Sequence, residues 1–202
     1  MKSIAILLHF LFLATFSSDN IVITQKHGTR FPQFGYTPVE DKVTRVQFPV
    51  EFVIDNKTSE EAHIMRINYR CISGYRTKRL GWWGVALYEN KNDTLISTSE
   101  QQAIEYIYPK EKKHYMIFTE HTVYDDTLFH RIFKKEIDIM RKNSDPAEKF
   151  VNPAVLTPVQ IDYLRHMLSK DSLRIDLAHD KSSQWVYIPI DVDKVIPLKI
   201  NH

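Results

Sequence analysis

The chain has 202 residues, 43% hydrophobic and 26% charged, with nine histidines, one cysteine and a net charge of +2. That composition is ordinary for a globular protein, and so small a charge on scattered basic residues argues against a nucleic-acid or anionic-membrane partner. A single cysteine, Cys71, excludes an internal disulfide, so packing must supply the stability, and Cys71 itself reads as a small buried hydrophobe.

Lys2 gives the chain a positive start, Ile4 to Ala14 form a short apolar run, and small residues follow. Residues 1–18 are therefore expected to be a cleaved secretory signal, cut after Ser17 or Ser18, leaving 19–202 as one domain. No later stretch approaches about 18 uninterrupted apolar residues, so no membrane partner is expected after cleavage. The acceptor sequons at Asn56 and Asn92 fit that route.

The elements then follow in order. "IVIT" reads as a short buried strand, and "VTRVQFPVEF" alternates Val46, Phe48, Val50 and Phe52, with Pro49 demoting it to an edge strand or extended arm. Leu80, Trp83 and Leu87 have helical spacing over 76–88, with Trp82 and Trp83 expected in the core, and Ser99 with Gln102 forms a capping box for a further helix behind it. "KKHYMIFTEHTV" reads as a strand. Residues 126–141 carry Leu128, Phe129, Ile132, Phe133, Ile137 and Met140 on one helical face, behind Asp125 and Asp126 where the helix dipole favours acid. Thr157, Pro158 and Gln160 open another helix, and "LRIDLA" and "QWVYIPI" are two late strands. Strands and helices in alternation predict an α/β fold with helices covering a sheet.

In such a fold ligands gather beyond the carboxyl ends of the strands. The peptide "KHGTR" lies at such an end: Gly28 permits a close turn, His27 offers a nucleophile, and Lys26 and Arg30 supply a point charge and a planar fork for phosphate oxygens. His179 and Asp180 leave a later strand, so that His27 could attack phosphorus while Asp180 protonates the leaving oxygen. His121, in "EHTV", either lines a pocket mouth or ends a strand. No cofactor is expected, because there is neither a Gly-rich nucleotide loop nor a metal-ligand spacing.

These residues resemble the histidine acid phosphatases. "KHGTRFP" is similar to the opening Arg-His-Gly-x-Arg-x-Pro of that family, and "SGYRTKRLG", "ISTSEQQAIEYIYP", "EHTVYDDTLF", "LTPVQIDYL" and "LAHD" resemble its later segments in the same order. The resemblance implies a phosphoglycerate-mutase-like three-layer sandwich, a central sheet flanked by helices, with a reduced cap. It implies His27 as phosphate-accepting nucleophile, Asp180 as proton donor, and Lys26, Arg30 and His179 as phosphate ligands. The implied activity is a secreted or lysosomal acid phosphatase hydrolysing small phosphomonoesters through a phosphohistidine. Lys26 stands where the family has arginine, and Ile96 and Gln102 stand where two further arginines are expected, so a phosphate-binding protein without turnover is the alternative. A secreted lipocalin-like carrier is a third reading, from the alternating segments.

Overall fold

The computed structural model describes residues 16–18, 21–71, 83–98, 105–142, 149–150, 155–179 and 182–196. The strands in chain order are β1 (Phe16–Ser18), β2 (Ile21–Gln25), β3 (Gln33–Thr37), β4 (Lys42–Asn56), β5 (Ala62–Arg70), β6 (Trp83–Gly84), β7 (Tyr88–Lys91), β8 (Thr94–Ser97), β9 (Glu105–Ile107) and β10 (Lys112–Thr122). Two helices follow, α1 (Thr127–Ile132) and α2 (Lys134–Lys142), then β11 (Lys149–Phe150), α3 (Pro158–Leu168), β12 (Ser172–His179), β13 (Ser182–Pro189) and α4 (Val192–Val195).

The strands form two antiparallel sheets. In the first, β4 is central: β10 pairs along one flank, with Tyr115 opposite Phe52, while β2 and β3 share the other flank. β2 lies against residues 52–56 and β3 against 42–47, so the two are one long strand interrupted by the loop 26–32. The second sheet runs β13-β12-β5-β6, with β9 on β5. A bulge at the Asp176/Leu177 step of the β5–β12 pairing keeps Ile64 and Ile67 both inward, and both are buried.

Between the sheets, Val46, Phe48, Val50, Phe52 and Ile54 of β4 meet Ile64, Ile67 and Tyr69 of β5 and Leu173, Ile175 and Leu177 of β12 in one apolar cluster. The period of two in β4 that the sequence displays is this inward face. α1 and α2 are nearly one helix, broken at Phe133, whose N–H still reaches the Phe129 carbonyl. Phe129 and Phe133 pack edge-on against Phe34 of β3, at 5.2 and 5.1 Å between ring centroids. Asp126 caps α1, accepting from the Phe129 N–H at 2.8 Å, and its other oxygen accepts from the Tyr163 hydroxyl of α3. The Thr157–Gln160 capping box of α3 forms as the sequence predicts.

The three-layer α/β expectation is overturned. An alternating order requires helical crossovers between parallel strands. Here every described pairing is antiparallel, the sheets stack directly on one another, and α1, α2 and α3 are gathered between β10 and β12. Two helices that would have produced the alternation are absent where the structure describes them: Trp83–Gly84 pairs with β5, and Glu105–Ile107 is β9. The remainder of those two predicted helices, 76–82 with Trp82 and 99–104 with Gln102, lies outside the described residues, as do residues 1–15 of the expected signal.

Pro49 is not at an edge. Phe48 donates its N–H towards β10, to Thr119 Oγ1 at 3.3 Å, so the next nitrogen, that of Pro49, faces the opposite flank. There the loop 26–32 interrupts β2 and β3, and no ladder donor is required.

Candidate functional site: a buried cysteine, histidine and aspartate

The loop 26–32 is held by its backbone. Lys26 N–H donates to the Glu51 carbonyl at 2.8 Å, and Gly28 N–H to the Lys194 carbonyl at 2.7 Å. Thr29 donates both its N–H and its hydroxyl to Glu51 Oε1, at 2.6 and 2.7 Å. Lys26 and His27 are exposed, and the Arg30 guanidinium donates to the Asp93 carbonyl at 2.8 Å. The described acceptors of this loop's hydrogen bonds are carbonyls and a carboxylate. Gly28 has no left-handed φ, and a Cβ there would make an ordinary 3.5 Å contact.

His179 ends β12, in the second sheet. Its Nε2 lies 3.1 Å from Thr58 Oγ1 and 4.0 Å from Glu60 Oε2. The loop is fixed at Glu51, within β4, and His179 lies beside Thr58, beyond the Asn56 end of that strand; residues 51 to 56 alone span about 17 Å at ~3.4 Å per residue. Lys26, His27 and Arg30 are brought together with one another but not with His179, and Asp180 lies outside the described residues. Ile96 is half-exposed on β8. Of the two sequons, Asn56 is fully buried, its amide donating to the carbonyls of Glu60, Ile107 and Tyr108, whereas Asn92 stands exposed in a two-residue hairpin turn with φ of 51°.

The chemistry that the fold does assemble lies elsewhere. His121 occupies the inward register of β10, after Tyr115, Ile117 and Thr119; it comes one residue before the end of that strand, as one of the two readings had it, and is fully buried. Tyr69 is on the inward side of β5 and Cys71 follows two residues on. Ser172 pairs with Arg70, so the residue before β12, Asp171, comes alongside Cys71. Asp171 is fixed there by its own backbone, donating to the Leu168 carbonyl at the end of α3 and accepting from Ile190 N–H.

The four side chains converge. Cys71 Sγ is 3.3 Å from His121 Nδ1, and Asp171 Oδ2 is 3.0 Å from His121 Nε2. The Tyr69 hydroxyl donates to Asp171 Oδ2 and lies 2.8 Å from His121 Nε2. Phe48 closes the ring edge of His121 at 5.1 Å between centroids. Burial pulls the imidazole pKa down, but hydrogen bonds and charge from Asp171 and Cys71 outweigh it and raise it to about 9. At neutral pH His121 therefore carries two N–H donors, one aimed at sulfur and one at the carboxylate. Burial first, and the Asp171 charge second, keep the Tyr69 hydroxyl protonated well above its ordinary range.

Cys71, His121 and Asp171 place donor atoms within 4.8 Å of one another, the separation a metal site needs. A single ion, however, requires its ligands to converge along their lone pairs on one point. Here the imidazole stands between the other two and presents a different ring nitrogen to each, so a chain of hydrogen bonds fits the donor set better than a tetrahedral ion. Such a chain is the arrangement of a nucleophile, a base and an orienting carboxylate.

No family model matches the chain, and no curated protein matches it. Among solved structures it is similar to an uncharacterized beta-sandwich protein from Clostridium difficile, 11% identical over 87% of this chain and 89% of that one, with a TM-score of 0.32. It is also similar to a protein from Archaeoglobus fulgidus, 5% identical over 80% of this chain and 90% of that one, with a TM-score of 0.33. Likeness at that level carries no argument about activity. The resemblance to histidine acid phosphatases is overturned by the two stacked antiparallel sheets and has no family model behind it.

Proposed function

We propose that the protein is an exported β-sandwich whose working group is the Cys71 thiol, poised by His121 and Asp171 for acyl transfer on small esters or thioesters. The observation that carries this reading is the use of both ring nitrogens of one buried imidazole, sulfur at 3.3 Å on one and carboxylate at 3.0 Å on the other. In the first step Cys71 Sγ, attacking as the thiolate of a thiolate–imidazolium pair with His121, forms a bond to the carbonyl carbon; the acyl C–O or C–S bond to the leaving group breaks, and His121 Nδ1–H gives its proton to the departing alkoxide or thiolate. Water, deprotonated by the now neutral His121, then attacks the thioester and releases the acid. Asp171 keeps the ring oriented throughout. With Cys71 only 6% exposed, the acyl group has to be small. Export is supported by the charged, apolar and small-residue order of residues 1–18.

The near-complete burial of the thiol favours a second reading, in which the same bonds merely tie β5, β10 and β12 together and sulfur is inert. One experiment separates them. Native protein is treated with p-nitrophenyl acetate and, separately, iodoacetamide, with Cys71→Ala and His121→Gln as controls and circular dichroism as the check on folding. An acetyl group on Cys71 and release of p-nitrophenol that drops at least 100-fold in Cys71→Ala are expected. Hydrolysis unchanged by Cys71→Ala, or a folded thiol that iodoacetamide modifies only after denaturation, removes the catalytic reading and leaves the structural one.

A further inference from the structure

The outward face of the second sheet carries aromatic rings that face water in a row of basic groups. On β13, Trp185 is 37% and Tyr187 48% exposed, and across the sheet on β9, Tyr106 is 43% exposed. Cross-strand register fixes what lies between them: Arg174 is opposite Tyr187 and Asn68, and Asp176 is opposite Trp185 and Arg66. The Arg174 guanidinium sits 4.0 Å from the centre of the Trp185 ring, which holds ring and charge as one unit. On the far side His63 packs on Tyr106 at 4.6 Å between centroids. The stripe Tyr187, Trp185, Arg174, Arg66, His63, Tyr106 thus crosses β13, β12, β5 and β9. Three strand spacings of about 4.8 Å make it roughly 14 Å wide.

Among the described residues basic groups outnumber acids here. Arg66, Arg70 and Arg174 stand on this face with Asp176 among them, one oxygen of Asp176 already accepts from the Ser183 hydroxyl at 2.6 Å, and Glu61 lies 3.7 Å from His63 at the edge of the stripe. Flat aromatic faces offer the C–H side of a pyranose a stacking partner, and guanidinium forks bind carboxylate or sulfate in two-point fashion. Because strand residues hold these groups in fixed rows, little side-chain freedom is lost on binding. We infer that the outer face of the second sheet binds an anionic oligosaccharide, with Trp185 stacking on a ring and Arg66 clamping its carboxylate or sulfate. This site is independent of the thiol chemistry proposed above, since it lies on the opposite side of the sheet from Tyr69.

The test uses the full protein. Binding of a sulfated heparin hexasaccharide and of a carboxylated oligogalacturonate is followed by tryptophan emission and calorimetry, against neutral dextran and polyglutamate. We expect one or both anionic sugars to bind, with affinity weakened at least 10-fold by Trp185→Ala and by Arg66→Gln and reduced by added salt, while both variants keep the parent's circular dichroism. The two sugars distinguish a sulfate from a carboxylate as the recognised group. Failure of both, equal binding of dextran, tighter binding of polyglutamate, or affinity untouched by Trp185→Ala would each overturn the proposal.

Discussion

A histidine that keeps its proton inside an apolar core makes stability depend on pH in a definite direction. The His121 pKa is raised from 6.5 to about 9, so the protonated form is the one that the fold prefers. Its contribution is fully present below about pH 6.5, the unfolded value, and is lost as pH rises through 9. Two and a half pH units correspond to about 3 kcal/mol. Chemical denaturation between pH 6 and 10 should show a decline of that order for the parent. Asp171→Asn, which keeps the shape but removes the charge, should lower stability at pH 6 and flatten the decline. A flat profile in the parent would mean that the imidazole is neutral when buried. This site was only partly legible in the sequence. "HYMIFTEHT" reads plainly as a strand, and counting every second residue inward from Tyr115 reaches His121. The signal is a polar residue in an apolar register. Nothing local marks Cys71 or Asp171, whose partners lie 50 or more positions away.

At the level of elements, short-range chemistry was the legible part. The capping box at Thr157 describes bonds between neighbours three residues apart and forms; Asp126, read only as an acid favoured by the helix dipole, proves to be the N-cap of α1. The spacing of Leu80, Trp83 and Leu87 misled because it carries too few positions to separate helix from strand, and the partner that decides the matter, β5, is not visible locally. Pro49 misled for a related reason. Proline is excluded from a central strand only where its nitrogen must serve a neighbour, and here it faces the interruption left by the loop 26–32. Pro49→Val should therefore shift the unfolding midpoint by less than about 1 kcal/mol, whereas Val50→Pro, which places proline on the β10 side of a fully paired, buried position, should cost roughly 3 kcal/mol or more. Equal effects of the two would show that the gap is filled in solution.

For the whole molecule, the fold class was out of reach because it depends on which strands meet across long intervals of chain. The same strands with helical crossovers would have been a layered α/β protein. What decides against it is pairing such as that of β5 with β12, and the gathering of α1, α2 and α3 between β10 and β12. The phosphate-site expectation turned on the same long-range question: the loop 26–32 is tied to Glu51 of β4, His179 lies beside Thr58, and Asp180 is outside the described residues.

The pairing of β5 with β12 also sets a schedule for assembly. During synthesis, Ala62–Arg70 emerges about one hundred residues before Ser172–His179, the segment it must zip onto. Until then the described strand partners of β5 within its own sheet are the short β6 and β9, which makes the nascent chain adhesive and closure of the second sheet late. A chain stopped at residue 171 should accumulate as insoluble material while the full length refolds from urea slowly, on a scale of milliseconds to seconds. A soluble, monomeric truncation would mean that the first sheet and its helices mature on their own and accept β12 and β13 as a closing flap.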